Sequence, residues 1–129
     1  MKKKESAFNY INNMNHRHLG KKWERESRKF LEVHFNTKLI FKLINPEQID
    51  WIVFLGEQKI AIVESKSTIK PHYYPFENQR KRNQLKRYFE VKKELDGQGF
   101  ICCFYLLLKK GKDTIFQKID KMEEIKRKY

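Results

Sequence analysis

Cysteine is nearly absent. The only two, Cys102 and Cys103, are adjacent within an apolar run and have no Cys or His partner at metal-ligand spacing. That excludes a disulfide framework and a thiolate zinc site, and both thiols read as small buried hydrophobes in a reducing, cytoplasmic setting. Three prolines and five glycines leave no long linker, and no internal repeat is visible. No apolar run approaches the roughly 18 residues of a membrane span, and no secretory h-region follows Lys2-Lys3-Lys4, so neither membrane nor secretion is expected. Acid is scarce: 16 Asp and Glu stand against 29 Lys and Arg, a formal charge of +13 over 129 residues. An excess of that size calls for a polyanionic partner, most often nucleic acid. Aromatics at 14% and hydrophobics at 40% argue for a packed core rather than a disordered basic tail.

What is present is organised around Asp50 to Lys66. Trp51-Ile52-Val53-Phe54-Leu55 and Lys59-Ile60-Ala61-Ile62-Val63 are β-prone runs separated by a turn at Gly56-Glu57-Gln58, which predicts a hairpin. The opening of the first strand then lies opposite the close of the second. Asp50 therefore meets Glu64 and Lys66, which share a face two residues apart. Two carboxylates and an ammonium at the end of an apolar hairpin suit a hard divalent cation, with the lysine beside it to hold or deprotonate a water. The bland alternative is a strand end capped by solvated charges.

The remaining chain supplies the frame. Residues 1–19 read as a basic arm that either touches nucleic acid or packs on a second subunit, with His16 and His18 in a polar loop. The stretch 20–129 reads as a single domain. Lys21 to Phe35 carries Trp23, Ser27, Phe30, Leu31 and His34 on one helical face. Lys38 to Leu43 alternates as a strand expected to bury Leu39, Phe41 and Leu43, and a Pro-marked loop leads on to Asp50. After Lys66, an irregular stretch holds Tyr73 and Tyr74, which either stack on a base or pack beneath the loop. Glu77 to Leu95 is a long basic helix with Leu85, Tyr88, Phe89 and Leu95 as its apolar face. Arg80, Lys81, Arg82, Lys86 and Arg87 form a positive surface suited to phosphate contact, unless it is simply a solvated face. Phe100 to Leu108 reads as a central strand covered on both sides. Thr114 to Ile119 reads as an edge strand, and Asp120 to Tyr129 as a terminal helix.

The pattern Asp-x13-Glu-x-Lys formed by Asp50, Glu64 and Lys66 resembles that of the PD-(D/E)xK nuclease superfamily. Gly20, Glu24, Arg25 and Glu26 match the Gly-x3-Glu-Arg-Glu helix of archaeal Holliday-junction resolvases, and Lys42 stands where those proteins carry a basic residue before the metal-binding Asp. Ile49 replaces the superfamily's Pro before that Asp. The polar and aromatic stretch after Lys66 is similar to one in bacterial RecU-type resolvases.

The resemblance spans about Gly20 to Leu108. It implies an α/β fold: a restriction-endonuclease-like α/β/α core with a mixed central sheet, in the order α-β-β-β-α-β with a short C-terminal β-α. Asp50 and Glu64, with the Ser65 carbonyl and Glu24, would hold Mg2+, for which Mn2+ substitutes. Lys66 would position the attacking water, and Gln84, or failing it Gln79, would face the catalytic strand from the second helix. Arg25, Lys42, Arg80, Arg82, Arg87 and Tyr73 are the expected DNA contacts. The implied activity is metal-dependent hydrolysis of DNA four-way junctions by a homodimer. The alternatives are a repair or virus-encoded nuclease for other branched or nicked DNA, and a non-catalytic basic module that binds nucleic acid.

Overall fold

The computed structural model describes residues 21–43, 50–121 and 127–129. The expected basic arm, Gly20, the loop before Asp50 and residues 122–126 of the expected terminal helix lie outside the described residues. Helix α1 occupies residues 21–35 and ends at Asn36, whose φ of 50° is the left-handed turn that Asn tolerates at a helix C-terminus. Then follow β1 (Ile40–Lys42), β2 (Trp51–Gly56), β3 (Lys59–Thr68), α2 (Gln79–Gly97), β4 (Ile101–Lys110) and β5 (Asp113–Ile119).

The five strands form one mixed sheet in the order β1-β2-β3-β4-β5. The β3–β4 pair is parallel and the other three are antiparallel. Antiparallel neighbours need only tight turns, whereas the parallel pair requires a crossover, which α2 provides. The Glu57-Gln58 turn closes the β2–β3 hairpin, with a register irregularity between Phe54 and Gly56.

Alternation along the strands sends side chains into two cores. Ala61 and Val63 of β3 and Leu107 of β4 pack with Trp23 and Leu31 of α1, joined by Ile40, Trp51 and Val53. Ile62 of β3 and Cys102, Phe104, Leu106 and Leu108 of β4 pack with Leu85 and Tyr88 of α2. One helix therefore covers each face, and β4 reads as continuously apolar because both of its faces are buried. The Tyr88 and Phe104 rings lie 4.4 Å apart between centroids. Asn78 caps α2 by accepting from the Lys81 N–H at 2.9 Å, and Gly99, at φ 89°, turns the chain after its end.

Two expectations are corrected. In β1 the buried residue is Ile40, while Leu39 and Phe41 are exposed. This is an edge strand covered only by α1; on its other face Phe41 meets the Phe54 ring edge-on at 5.7 Å. The terminal helix does not extend to Tyr129, because residues 127–129 are not helical. Tyr129 instead exchanges backbone hydrogen bonds with Tyr73 at 2.7 and 2.8 Å.

Leu107→Ala, in the strand buried on both faces, is expected to cost about 2–5 kcal/mol of stability. Leu39→Ala should stay within about 0.5 kcal/mol. Urea unfolding midpoints of the two variants would separate them, and equal losses would contradict the open face assigned to β1.

Candidate active site

The hairpin register pairs Trp51 with Val63, so one step outward Asp50 lies across from Glu64. The Ser65 N–H donates to Asp50 Oδ2 at 2.8 Å. On the other side, the Leu43 N–H donates to the Asp50 carbonyl at 2.8 Å. Asp50 is thus held by the chain on both sides of β2. Ser65 faces α1, where its hydroxyl lies 2.7 Å from that of Ser27, a residue with no exposed surface. Glu64 and Lys66 take the alternate direction. Their side chains are about one-tenth exposed and pair at 3.3 Å, and the Lys66 ammonium sits 5.7 Å from the centre of the Phe76 ring.

A cleft of about 230 Å3 opens at this end of the hairpin. Asp50, Ser65 and Lys66 line its floor, Glu24 and Lys42 its rim, and Trp23 and Trp51 its apolar wall. Glu24 reaches it from α1 because it lies one helical turn before Ser27. Its carboxylate receives the Lys42 ammonium at 2.7 Å, with both side chains roughly two-fifths exposed. Glu26 is drawn away to Lys109 at 2.9 Å, and Arg25 is exposed on α1.

Burial dominates the electrostatics. It raises Asp50 above the ordinary Asp value, opposed by the Ser65 N–H and by the charges of Lys66 and Lys42, with Glu24 adding to the rise. Glu64 is pushed up to about 7, first by burial and then by the Asp50 charge. Lys66 and the Asp50 backbone N–H pull the other way. Two carboxylates close together in a dry site resist joint ionisation. Tyr73 is raised by burial and by Glu77 and Glu64.

The donor set fits a hard, oxygen-loving cation. Among the described residues no three His, Cys, Asp or Glu side chains gather as a metal cluster. Magnesium does not need such a cage, because it keeps several waters and takes one or two carboxylates plus substrate phosphates. Asp50 and Glu64, with the carbonyl of Ser65 directly after Glu64 in the chain, are the residues that would hold it. Glu24 stands at the rim as a further carboxylate, engaged by Lys42.

The proposed DNA contacts divide into groups. Arg80 and Arg87 lie with Asn83 and Gln84 along a separate groove of about 520 Å3 on α2. Gln84 is half-buried there rather than at the Asp50 cleft, and Gln79 is exposed and donates to Asn83 at 2.9 Å. Arg82 donates to the Glu77 carbonyl at 2.7 Å, and Arg87 pairs with Glu90 at 3.1 Å. Tyr73 packs against the α2-side core, while Tyr74 is exposed.

From α2, the half-buried Lys81 is a cation on which the Lys66 charge acts. Burial, and then that neighbouring ammonium, hold it below the ordinary lysine value. The sequence carried a signal for it: Lys81, Leu85 and Tyr88 recur at i, i+4 and i+7 on one stripe. Phe76 was also missed, and nothing in its spacing marks it.

No known protein-family model matches the chain, and no curated protein does.

Glu64 ties pH to stability. The folded protein keeps this proton to about pH 7, whereas an unfolded Glu loses it near 4.5. Between those values the native state binds the additional proton, so metal-free stability is expected to fall as pH rises, by about 3 kcal/mol, and then level off. Glu64→Gln should flatten this slope. Denaturant titrations in chelator across pH 4.5–8 check it, and a stability that rises over that window would refute the assignment.

Proposed function

We propose that this chain is a metal-dependent endodeoxyribonuclease of the PD-(D/E)xK type, most like the archaeal Holliday-junction resolvases, acting on DNA four-way junctions. The observation that carries the reading is the Ser65 N–H to Asp50 Oδ2 bond, at 2.8 Å, which holds Asp50 against the strand bearing Glu64 and Lys66. A chance scatter of charges gives no reason for a buried carboxylate to sit beside another that it destabilises. A cation site does.

A bound divalent ion would supply Lewis-acid polarisation of the phosphate and a more acidic water. The chain's own groups do the rest. Asp50 and Glu64 present oxygens from two adjacent strands, and their geometry is fixed by backbone hydrogen bonds rather than by flexible side chains. Glu64 and the Phe76 ring hold the Lys66 ammonium at the cleft, where it orients the water for in-line attack. Lys42 and the α2 arginines offer positive charge to the flanking backbone phosphates. Opposed cuts across a junction need two such sites at fixed separation, so the working form is a symmetric homodimer. Among the described residues no helix is long and apolar enough to cross a membrane. The free thiols Cys102 and Cys103 suit a reducing, cytoplasmic setting.

One observation favours a second reading, a basic nucleic-acid-binding module without chemistry. Glu24, the carboxylate the resolvase pattern would add to the metal site, is already neutralised by Lys42 at 2.7 Å.

A synthetic four-way junction separates the two. The nuclease cuts it symmetrically with Mg2+ and spares linear duplex, whereas a binding module only retards it in a gel. Asp50→Asn, Glu64→Gln and Lys66→Ala should each abolish cutting and leave retardation intact; turnover by purified Glu64→Gln would remove the site assignment. Mn2+ should also raise the melting temperature more at pH 8 than at pH 5, because protons compete for the same oxygens. Arg80→Ala and Arg87→Ala should weaken binding and lower its salt slope by about one unit per lost phosphate contact. An unchanged slope would mean that those side chains face solvent alone.

A further inference from the structure

The groove on α2 shares no lining residue with the Asp50 cleft and has more than twice its volume, about 520 against 230 Å3. Arg80, Asn83, Gln84 and Arg87 line it. They recur at i, i+3, i+4 and i+7, which is one helical face, while Leu85 and Tyr88 are buried on the sheet side. The helical rise sets the two arginines about 10 Å apart along the axis, with the carboxamides midway. Among the described residues, no carboxylate and no apolar side chain lines the groove.

The carboxamides set this face apart from a strip that grips phosphate alone. Phosphate oxygens accept hydrogen bonds, so lysine and arginine serve them best. A carboxamide carries donors and an acceptor in one plane, the combination that matches a nucleobase edge. Asn83 is also held in place. Gln79 Nε2 donates to its Oδ1 at 2.9 Å, which leaves the two N–H donors of the Asn83 amide to a ligand. The guanidinium groups on either side bond phosphate oxygens bidentately or lie flat on a base. Arg87 keeps donors beyond the one spent on Glu90 at 3.1 Å.

Concavity decides between a paired and an unpaired base. A helix that reads duplex DNA projects its side chains into the major groove. Here four side chains surround a hollow of the size that holds a small organic ligand. A base reaches such a hollow only by leaving its stack, at a cost that is least where pairing is already broken. Branch points and nicks meet that condition.

We infer that the α2 groove is a second DNA-binding site, which takes one unstacked nucleobase from a branch point or nick. The Asn83 amide donates to acceptors on the base edge, and Arg80 and Arg87 hold the phosphates to either side. The inference rests on the nucleic-acid-binding part of the reading above and not on metal chemistry at Asp50. It gives this chain a reason to prefer branched over linear DNA that the Asp50 cleft alone does not supply.

The test uses the full chain in chelator, so that binding is read without cutting. One probe is a four-way junction with 2-aminopurine, an adenine analogue that brightens on unstacking, at the branch point. The other is a linear duplex of the same sequence. Wild type should brighten the junction probe and leave the duplex probe dark; both DNAs bound with neither brightened overturns the proposal. By anisotropy, Asn83→Ala should weaken junction binding about tenfold, leave duplex binding within about twofold, and keep the salt slope, because no charge is removed. Asn83→Gln, which retains the carboxamide, should recover part of the loss. Equal losses on junction and duplex would assign this face to paired DNA, and no loss on either would leave it solvated; each overturns the proposal. The melting temperature of Asn83→Ala should match wild type, since Asn83 is exposed. A drop that accounts for the lost binding would make the residue structural and overturn the site. If wild type binds neither DNA, the nucleic-acid reading fails and this site with it. If it binds both as expected and cuts neither once Mg2+ is added, the nuclease reading alone fails.

Discussion

The Ser65 N–H bonded to Asp50 Oδ2 ties the start of β2 to the end of β3, and the candidate chemistry is arranged around that tie. The hairpin alone brings these strand ends into register, but register leaves a terminal side chain free to swing into water. A backbone donor at 2.8 Å removes that freedom and offsets part of the cost of keeping a carboxylate half-buried. The same residue carries the constraint outward, since the Ser65 hydroxyl meets Ser27 in the α1 interface. A single strand position thus sets Asp50 on one side and the rotation of α1, hence Glu24, on the other.

Charge at this end of the sheet works against folding rather than for it. Glu64 and Lys66 are nearly buried, and burying an ion pair costs several kcal/mol per ion before attraction repays it. Asp50 and Lys81 add one further charge of each sign, each of them disfavoured by desolvation. On the helix surfaces the ion pairs are exposed and local, such as Arg28 with Glu32 and Arg87 with Glu90, and each is worth little. The contrast between inexpensive surface pairs and a costly buried cluster singles out the cleft without reference to any motif.

Much of this was legible in the chain because period and turn chemistry agree along it. The β-branched runs on either side of Gly56 could hardly form anything but a hairpin, and the unbroken apolarity of Phe100 to Leu108 matches a strand covered twice. The stripe through Trp23, Ser27 and Leu31 is the buried face of α1. Periodicity is silent about which face of an edge strand is covered: alternation alone points Leu39, Phe41 and Leu43 inward, whereas Ile40 is the buried residue. Lys81 is obscured by composition: among the five basic residues Arg80, Lys81, Arg82, Lys86 and Arg87, one that is half-buried looks like its neighbours. The backbone exchange between Tyr73 and Tyr129 joins residues 56 positions apart, beyond the reach of any local pattern.

The parallel pairing of β3 with β4 also has a kinetic side. The ten residue pairs from Lys59–Ile101 to Thr68–Lys110 join segments separated by a full helix. Loop closure must therefore precede any reward from that ladder, which sets such topologies toward the slower end of two-state folding. Until β4 docks, β3 is an unprotected edge carrying the apolar row Ile60 to Val63, ready to zip onto another nascent chain. Expression yield should accordingly depend on chain concentration and on holdase capacity more than on the final depth of the native well.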